Sequence, residues 1–257
     1  MPGKFRFLGS TVSPRFPQPT ATMKLAAYAV HLFTASGLLA GFMGLLSAVA
    51  GDYRATMLWM LATLVIDGVD GTFARLARVR EVLPEVDGKT IDYVIDFFTY
   101  AILPAFLWFV WVEAPQWARY AGAFAMLLSA AIYYGLEGMV SADGKHFVGF
   151  PVLWNMVVYV FIFVVPGLGW PWLLALTVVF AVLHFVPILV PYPSRGGRWW
   201  QLTLAMVVVF IGAAVVNVWQ YPAPSRWGRL AALGSTGYLT LVTVVDTLES
   251  ARVTSEN

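Results

Sequence analysis

The chain is 257 residues long, 60% hydrophobic and 12% charged, with a formal net charge of +2 and a mean hydropathy of +0.74. That balance excludes a water-soluble globular domain, and a small net charge spread over loops and ends excludes a nucleic-acid binder. Cysteine is absent, which excludes disulfides and thiolate metal sites.

Residues 1–24 read as a polar cytoplasmic tail. Its first 22 residues are rich in Pro, Ser and Thr, carry Lys4 and Arg6, and hold no apolar core of signal-peptide kind. Eight apolar stretches follow, at 25–49, 53–79, 88–111, 118–139, 150–166, 171–190, 200–219 and 228–247, separated by short polar or Pro/Gly turns. Residues 248–257 close the chain as a short tail. The expected fold is all-α: a polytopic membrane helical bundle of about eight transmembrane helices, with both termini cytoplasmic. In that orientation twelve Lys and Arg lie inside and four outside, as the positive-inside rule requires. The second span then descends to end near Arg75 to Arg80, and the third rises from Gly88.

Those two spans carry the chemistry. Asp67, Asp70, Gly71, Ala74 and Arg75 follow helical spacing on one face of the second, and Gly88, Asp92 and Asp96 recur every four residues on the third. A carboxylate at a helix centre in a bilayer costs roughly 2.5–3.5 kcal/mol on insertion scales. Four of them ask for compensation, and two basic neighbours, Arg75 and Lys89, cannot match four anions. Oxygen ligands without His or Cys suit Mg²⁺ or Mn²⁺. Small residues at 71, 74 and 88 let helices or a ligand approach, and Arg75 offers a planar fork suited to phosphate. An ion-coupled transporter also lines its path with intramembrane carboxylates, but it shows repeated halves. Here the acids sit in one helix pair and no second copy occurs in 118–247.

The pattern Asp67-x-x-Asp70-Gly71-x-x-Ala74-Arg75, a spacer, then Gly88-x-x-x-Asp92-x-x-x-Asp96 resembles the signature of the CDP-alcohol phosphotransferase family. The spacer at 76–87, LARVREVLPEVD, is twelve residues long, longer than most of the family has. With the extra spans and the stretch HFVGFPVLWN at 146–155, it looks like the bacterial phosphatidylcholine synthase branch. The resemblance implies that Asp67 and Asp92 bridge two divalent ions, that Asp70 binds one of them, and that Asp96 binds the other and acts as general base. It places Gly71, Ala74, Arg75 and Gly88 around the CDP moiety of CDP-diacylglycerol, and implies a homodimer in the bacterial inner membrane with its site facing the cytoplasm. In the same reading choline is the acceptor; phosphatidylserine or phosphatidylglycerophosphate synthesis is the alternative within the family.

A quaternary ammonium is held by aromatic faces, often with a carboxylate nearby. Tyr93, Phe97 and Tyr100 lie near the aspartates on the third span, and Tyr133, Tyr134 and Glu137 lie on the fourth. Tyr93, Tyr100, Tyr133 and Glu137 are the choline candidates, although packing is the commoner role of any one aromatic here. Thr34, in the first span, is a candidate for the CDP moiety, set against the habit of Thr to bond its own helix backbone. His31, His146 and His184 lack metal-ligand spacing and read as packing or interfacial residues.

Overall fold

A computed structural model describes residues 19–193, 195–197 and 199–255. Of the tail expected over 1–24, residues 1–18 lie outside the described residues. Each predicted apolar stretch contains a helix: α1 Ala21–Val49, α2 Tyr53–Leu76, α3 Gly88–Trp111, α4 Gln116–Tyr134, α5 Trp154–Val164, α6 Trp170–Leu183, α7 Trp200–Trp219 and α8 Arg226–Ser255. Five of them, α1, α2, α3, α7 and α8, are long and apolar enough to cross a membrane, whereas α5 and α6 are shorter apolar helices. The chain is thus a mostly helical bundle with little sheet.

Several boundaries differ from the sequence reading, each for a local reason. Helix α1 starts inside the stretch expected as tail, because the Thr20 hydroxyl accepts from the Met23 N–H at 3.3 Å and caps it. Helix α4 stops at Tyr134, so Glu137 lies in the exposed turn beyond it and not on the fourth span. The sixth apolar stretch splits: α6 ends at Leu183, and Leu189–Pro191 forms a strand, β2, antiparallel to β1 at His146–Val148. The Leu189 N–H donates to Thr247 Oγ1 at 2.8 Å, and His146 Nε2 meets Asp246 Oδ2 at 3.1 Å, so this small sheet is tied to α8.

Gly51, at φ 75°, turns α1 into α2, and Asp52 caps α2 by accepting from the Ala55 N–H at 2.8 Å. After α2, Arg78 takes φ 51° and a single helical turn, Val79–Val82, folds back across the helix ends. Val79, Val82 and Leu83 are buried there against Ala27 and Val30 of α1 and Ala74 and Ala77. The twelve-residue spacer is therefore a packed plug. Asp87 caps α3, accepting from the Thr90 hydroxyl at 2.8 Å and the Lys89 N–H at 3.0 Å. Those donors, Thr90 first, hold its carboxyl below the usual carboxylate range.

Helices α1 and α3 run side by side with a repeating contact. A Cβ at Gly41 would lie 2.9 Å from the Phe98 ring and from Thr99 Cγ2, one at Gly37 would lie 3.1 Å from Ile95, and one at Gly44 would lie 2.9 Å from Leu103. Within α3, residues Phe97–Ile102 are wound more widely, the Leu103 N–H reaching the Phe98 carbonyl. Pro104 explains this: it lacks an N–H, and its ring would strike the carbonyl four residues back in a regular helix. The main core lies where α3, α4 and α5 meet, around Trp108, Met126, Trp154, Tyr159 and Phe163. Outward-facing Leu32 and Leu39 of α1 are 71% and 70% exposed, as faces in contact with lipid would be.

Gly41→Ala should lower unfolding stability in mixed micelles by about 1–3 kcal/mol, because the methyl overpacks the α1–α3 contact. Gly234→Ala on α8, where an added methyl would meet none of the described residues within 4 Å, should be neutral or stabilising by up to ~1 kcal/mol. Equal stability of the two variants would show that α1 and α3 do not depend on this close approach.

Candidate active site

Asp67 and Asp70 sit three residues apart on α2, and Asp92 on α3 faces them across the interface. One oxygen from each of the three lies within 4.8 Å of the others. The set is all carboxylate oxygen, with Asp70 buried and the other two half-buried, and it fits a hard divalent cation. Asp96, one turn further along α3, falls outside this trio but lies close enough to interact with the charges of Asp67, Asp92 and Asp70.

A hydroxyl lies beside two of the three. The Tyr100 hydroxyl donates to Asp67 Oδ2 at 2.8 Å, and the Thr34 side chain of α1 and the Gly71 N–H lie near the Asp70 carboxylate. Such partners fix a ligand's orientation without cancelling its charge. The reading of the aspartates as ordinary ion pairs finds no support: the Arg75 guanidinium donates to Thr72 Oγ1 at 2.9 Å, and neither Arg75 nor Lys89 pairs with the four acids among the described residues.

The other expected site residues fall as follows. Gly71 leaves room for Arg75, whose Nη1 would be 3.5 Å from a Cβ there. Ala74 packs on the plug and on α1, so its small size serves helix approach. Gly88 faces His31 of α1, with a Cβ at 88 lying 3.1 Å from the imidazole Cε1. Tyr100 is buried and committed to Asp67, which makes it a carboxylate partner and not an open aromatic face. Tyr133 turns away from the acids: its hydroxyl donates to the Val148 carbonyl at 3.0 Å and its ring lies 5.3 Å from that of His184. Its neighbour Tyr134 faces the site instead. The Tyr134 ring is 5.7 Å from Tyr93 and 6.3 Å from Phe97, and the tyrosine lies within range of the Asp96 charge. Glu137, exposed beyond the helix end, is not brought to this cluster.

Tyr93 and Phe97 also line a groove of about 400 Å³ with Leu38, Thr90, Val94, Phe98 and Ile102. Its lining is nearly all apolar, and Leu38 and Val94 are exposed at its rim. The carboxylate partnership of Tyr100 had a signal in the sequence, since 88, 92, 96 and 100 continue one helical row. The choice between Tyr133 and Tyr134 had none.

Comparison with curated proteins finds relatives along most of the chain. One from Agrobacterium fabrum, named phosphatidylcholine synthase, is 35% identical over 84% of this chain and 88% of its own. Proteins of the same name from Rhizobium meliloti and Pseudomonas aeruginosa are 38% and 33% identical, over 73% and 79% of this chain and 76% and 84% of theirs. No family model matches the chain.

Tyr100→Phe should weaken Mn²⁺ binding by roughly 10-fold or more, because Asp67 loses the donor that orients it. Calorimetric titration of the purified protein checks this, and an unchanged affinity would remove Tyr100 from the ligand shell.

Proposed function

Because the chain belongs to the phosphatidylcholine synthase family, we propose that it joins choline to the phosphatidyl group of CDP-diacylglycerol. The choline oxygen forms a bond to the phosphorus bearing diacylglycerol, the bond from that phosphorus to the CMP oxygen breaks, and phosphatidylcholine and CMP result. The observation that carries this reading is the convergence of Asp67, Asp70 and Asp92 from two apolar helices, in a chain with such relatives.

These three residues, with Asp96, would hold two Mn²⁺ or Mg²⁺ ions. Bound there, the ions neutralise the diphosphate and stabilise departing CMP. Asp96 takes the proton of the choline hydroxyl; its position one turn past the trio supports that role, since a base must reach the acceptor and not only the donor. Thr34, Gly71, Ala74, Arg75 and Gly88 border the CDP moiety. Of these, Arg75 is exposed with its guanidinium held near Gly71 by Thr72, where it can meet a phosphate oxygen.

Tyr93, Phe97 and Tyr134 form the choline pocket. Three rings beside an acidic centre offer a quaternary ammonium π-faces, each contact amounting to about 0.5–2 kcal/mol. The far side of Tyr93 and Phe97 walls the apolar groove, which we assign to an acyl chain of the lipid donor, because its rim is apolar and exposed and it adjoins the site. The chain crosses the bacterial inner membrane about eight times with both termini and the site on the cytoplasmic side, a reading supported by the twelve-to-four distribution of Lys and Arg. A homodimer belongs to the same reading.

Purified protein with Mn²⁺ and CDP-diacylglycerol should release CMP when choline is added, and not with serine or glycerol 3-phosphate. Turnover of serine alone would overturn the acceptor, and no CMP with any alcohol would overturn the chemistry. Asp96→Asn should cut kcat by at least ~10²-fold while CMP binding persists; near-normal turnover would remove Asp96 as base. Tyr134→Ala should raise the choline KM roughly 2–30-fold without raising that for CDP-diacylglycerol, whereas Tyr133→Phe should leave both unchanged. The opposite pattern would assign choline to the other face of α4.

A further inference from the structure

The α1–α3 contact has one more rung, and it ends at a histidine. Gly44 sits beside Leu103, Gly41 beside Phe98 and Thr99, and Gly37 beside Ile95, so the two helices run parallel and in register. Thr34, one turn back along α1, lies near the Asp70 carboxylate. One turn further back, His31 lies against Gly88, whose missing side chain leaves its imidazole space; a Cβ there would lie 3.1 Å from Cε1 and 3.7 Å from Nδ1. His31 thus shares a helix face with Thr34 and stands one turn to the helix-start side of the carboxylates.

Its free nitrogen is the second observation. His31 Nε2 is buried with no hydrogen-bond partner among the described residues, a state native structures rarely leave without a water, an ion or a bound molecule to complete it. His184 also has unpartnered ring nitrogens, but it is enclosed by the rings of Tyr133, Phe150 and Trp154. His31 instead shares a face of α1 with Thr34, which lies near the Asp70 carboxylate.

We propose that His31 binds the nucleotide half of the lipid donor, its Nε2–H donating to an oxygen of the CMP portion of CDP-diacylglycerol. This rests on the functional reading above and adds a residue to it. The diphosphate must lie at the carboxylate trio, and the diacylglycerol end lies toward the groove that runs along α3 to Ile102. The CMP end therefore points the other way, toward the starts of α1 and α3, where His31 and Gly88 meet. The absence of a side chain at Gly88 then has a specific purpose: it seats the imidazole.

The test uses the full chain in detergent with Mn²⁺ and CMP as the titrant. His31→Ala should weaken CMP binding about 10-fold, the loss of one hydrogen bond to a charged group, and raise the KM for CDP-diacylglycerol. The choline KM and the Mn²⁺ affinity should not move. His31→Gln, which keeps a side-chain N–H, should recover most of the CMP affinity. Gly88→Ala should weaken CMP binding in the wild-type background and much less in His31→Ala. A measurement on unmodified sequence covers the case of a variant that does not fold: carbethoxylation read by mass spectrometry should slow several-fold at His31, and not at His146, when CMP is present. Equal CMP affinity of wild type and His31→Ala, or an unchanged modification rate, would overturn the inference alone. A parallel loss of Mn²⁺ affinity would place His31 with the carboxylates instead and overturn it too. Wild-type protein that binds no CMP would overturn the functional reading and this inference with it.

Discussion

Uncompensated negative charge is the constraint around which this bundle is arranged. Asp67, Asp70 and Asp92 bring their oxygens together at the junction of two apolar helices, with Asp96 in electrostatic range. Insertion costs of roughly 2.5–3.5 kcal/mol for each such charge give every reason to pair them with basic residues. The fold does not. Arg75 is held by Thr72, and the start of α3 spends its local acid, Asp87, on the helix cap. The Tyr100 hydroxyl bonds Asp67 and Thr34 lies near Asp70, neutral groups that leave the charge in place. A site so oriented and not neutralised by the protein is suited to bound cations and a diphosphate.

Helices α1 and α3, which carry those hydroxyls, also pack closely on each other. The glycines at 37, 41 and 44 permit it, each facing a side chain of α3 that a methyl would strike. On the α3 side, Pro104 forces the wide turn over Phe97–Ile102 that carries Tyr100. Two helix-breaking residue types in apolar sequence thus have positional roles: glycine sets the distance between helices, and proline sets the path of the helix bearing the partner of Asp67.

Much of this was legible because helical periodicity is strict. Apolar runs located the eight helices, and spacings of three and four placed Asp67 and Asp70 on one face and Asp92 across from them. Periodicity also explains where legibility stops. Tyr133 and Tyr134 are one residue apart, about 100° around the helix, and only the packing partners of α4 decide which one faces the acids; Val148 takes Tyr133. Glu137 looked membranous because the apolar run continues past Tyr134, but Gly135 and Gly138 follow and the helix has ended. The β1–β2 pair depends on residues more than forty apart in sequence, a contact no local pattern encodes.

The long spacer between the two acidic helices fits the same logic. Arg78 leaves the helix at positive φ, and Val79, Val82 and Leu83 dock on Ala27 and Val30, so the first turns of α1 are clamped between the plug and α3. His31 and Thr34 sit immediately beyond that clamp. The carboxylate cluster and the side chains packed beside it therefore come from the first three helices and their spacer. The aromatic cluster that we propose as the acceptor side lies at the α3–α4 joint, where Tyr134 meets Tyr93 and Phe97. Helix α4 is anchored there through Tyr133 to β1, and β1 through β2 to α8. In the proposed reading the later helices can thus reshape the alcohol pocket while the cation and nucleotide sites stay fixed, which is what one chemistry serving different alcohols requires.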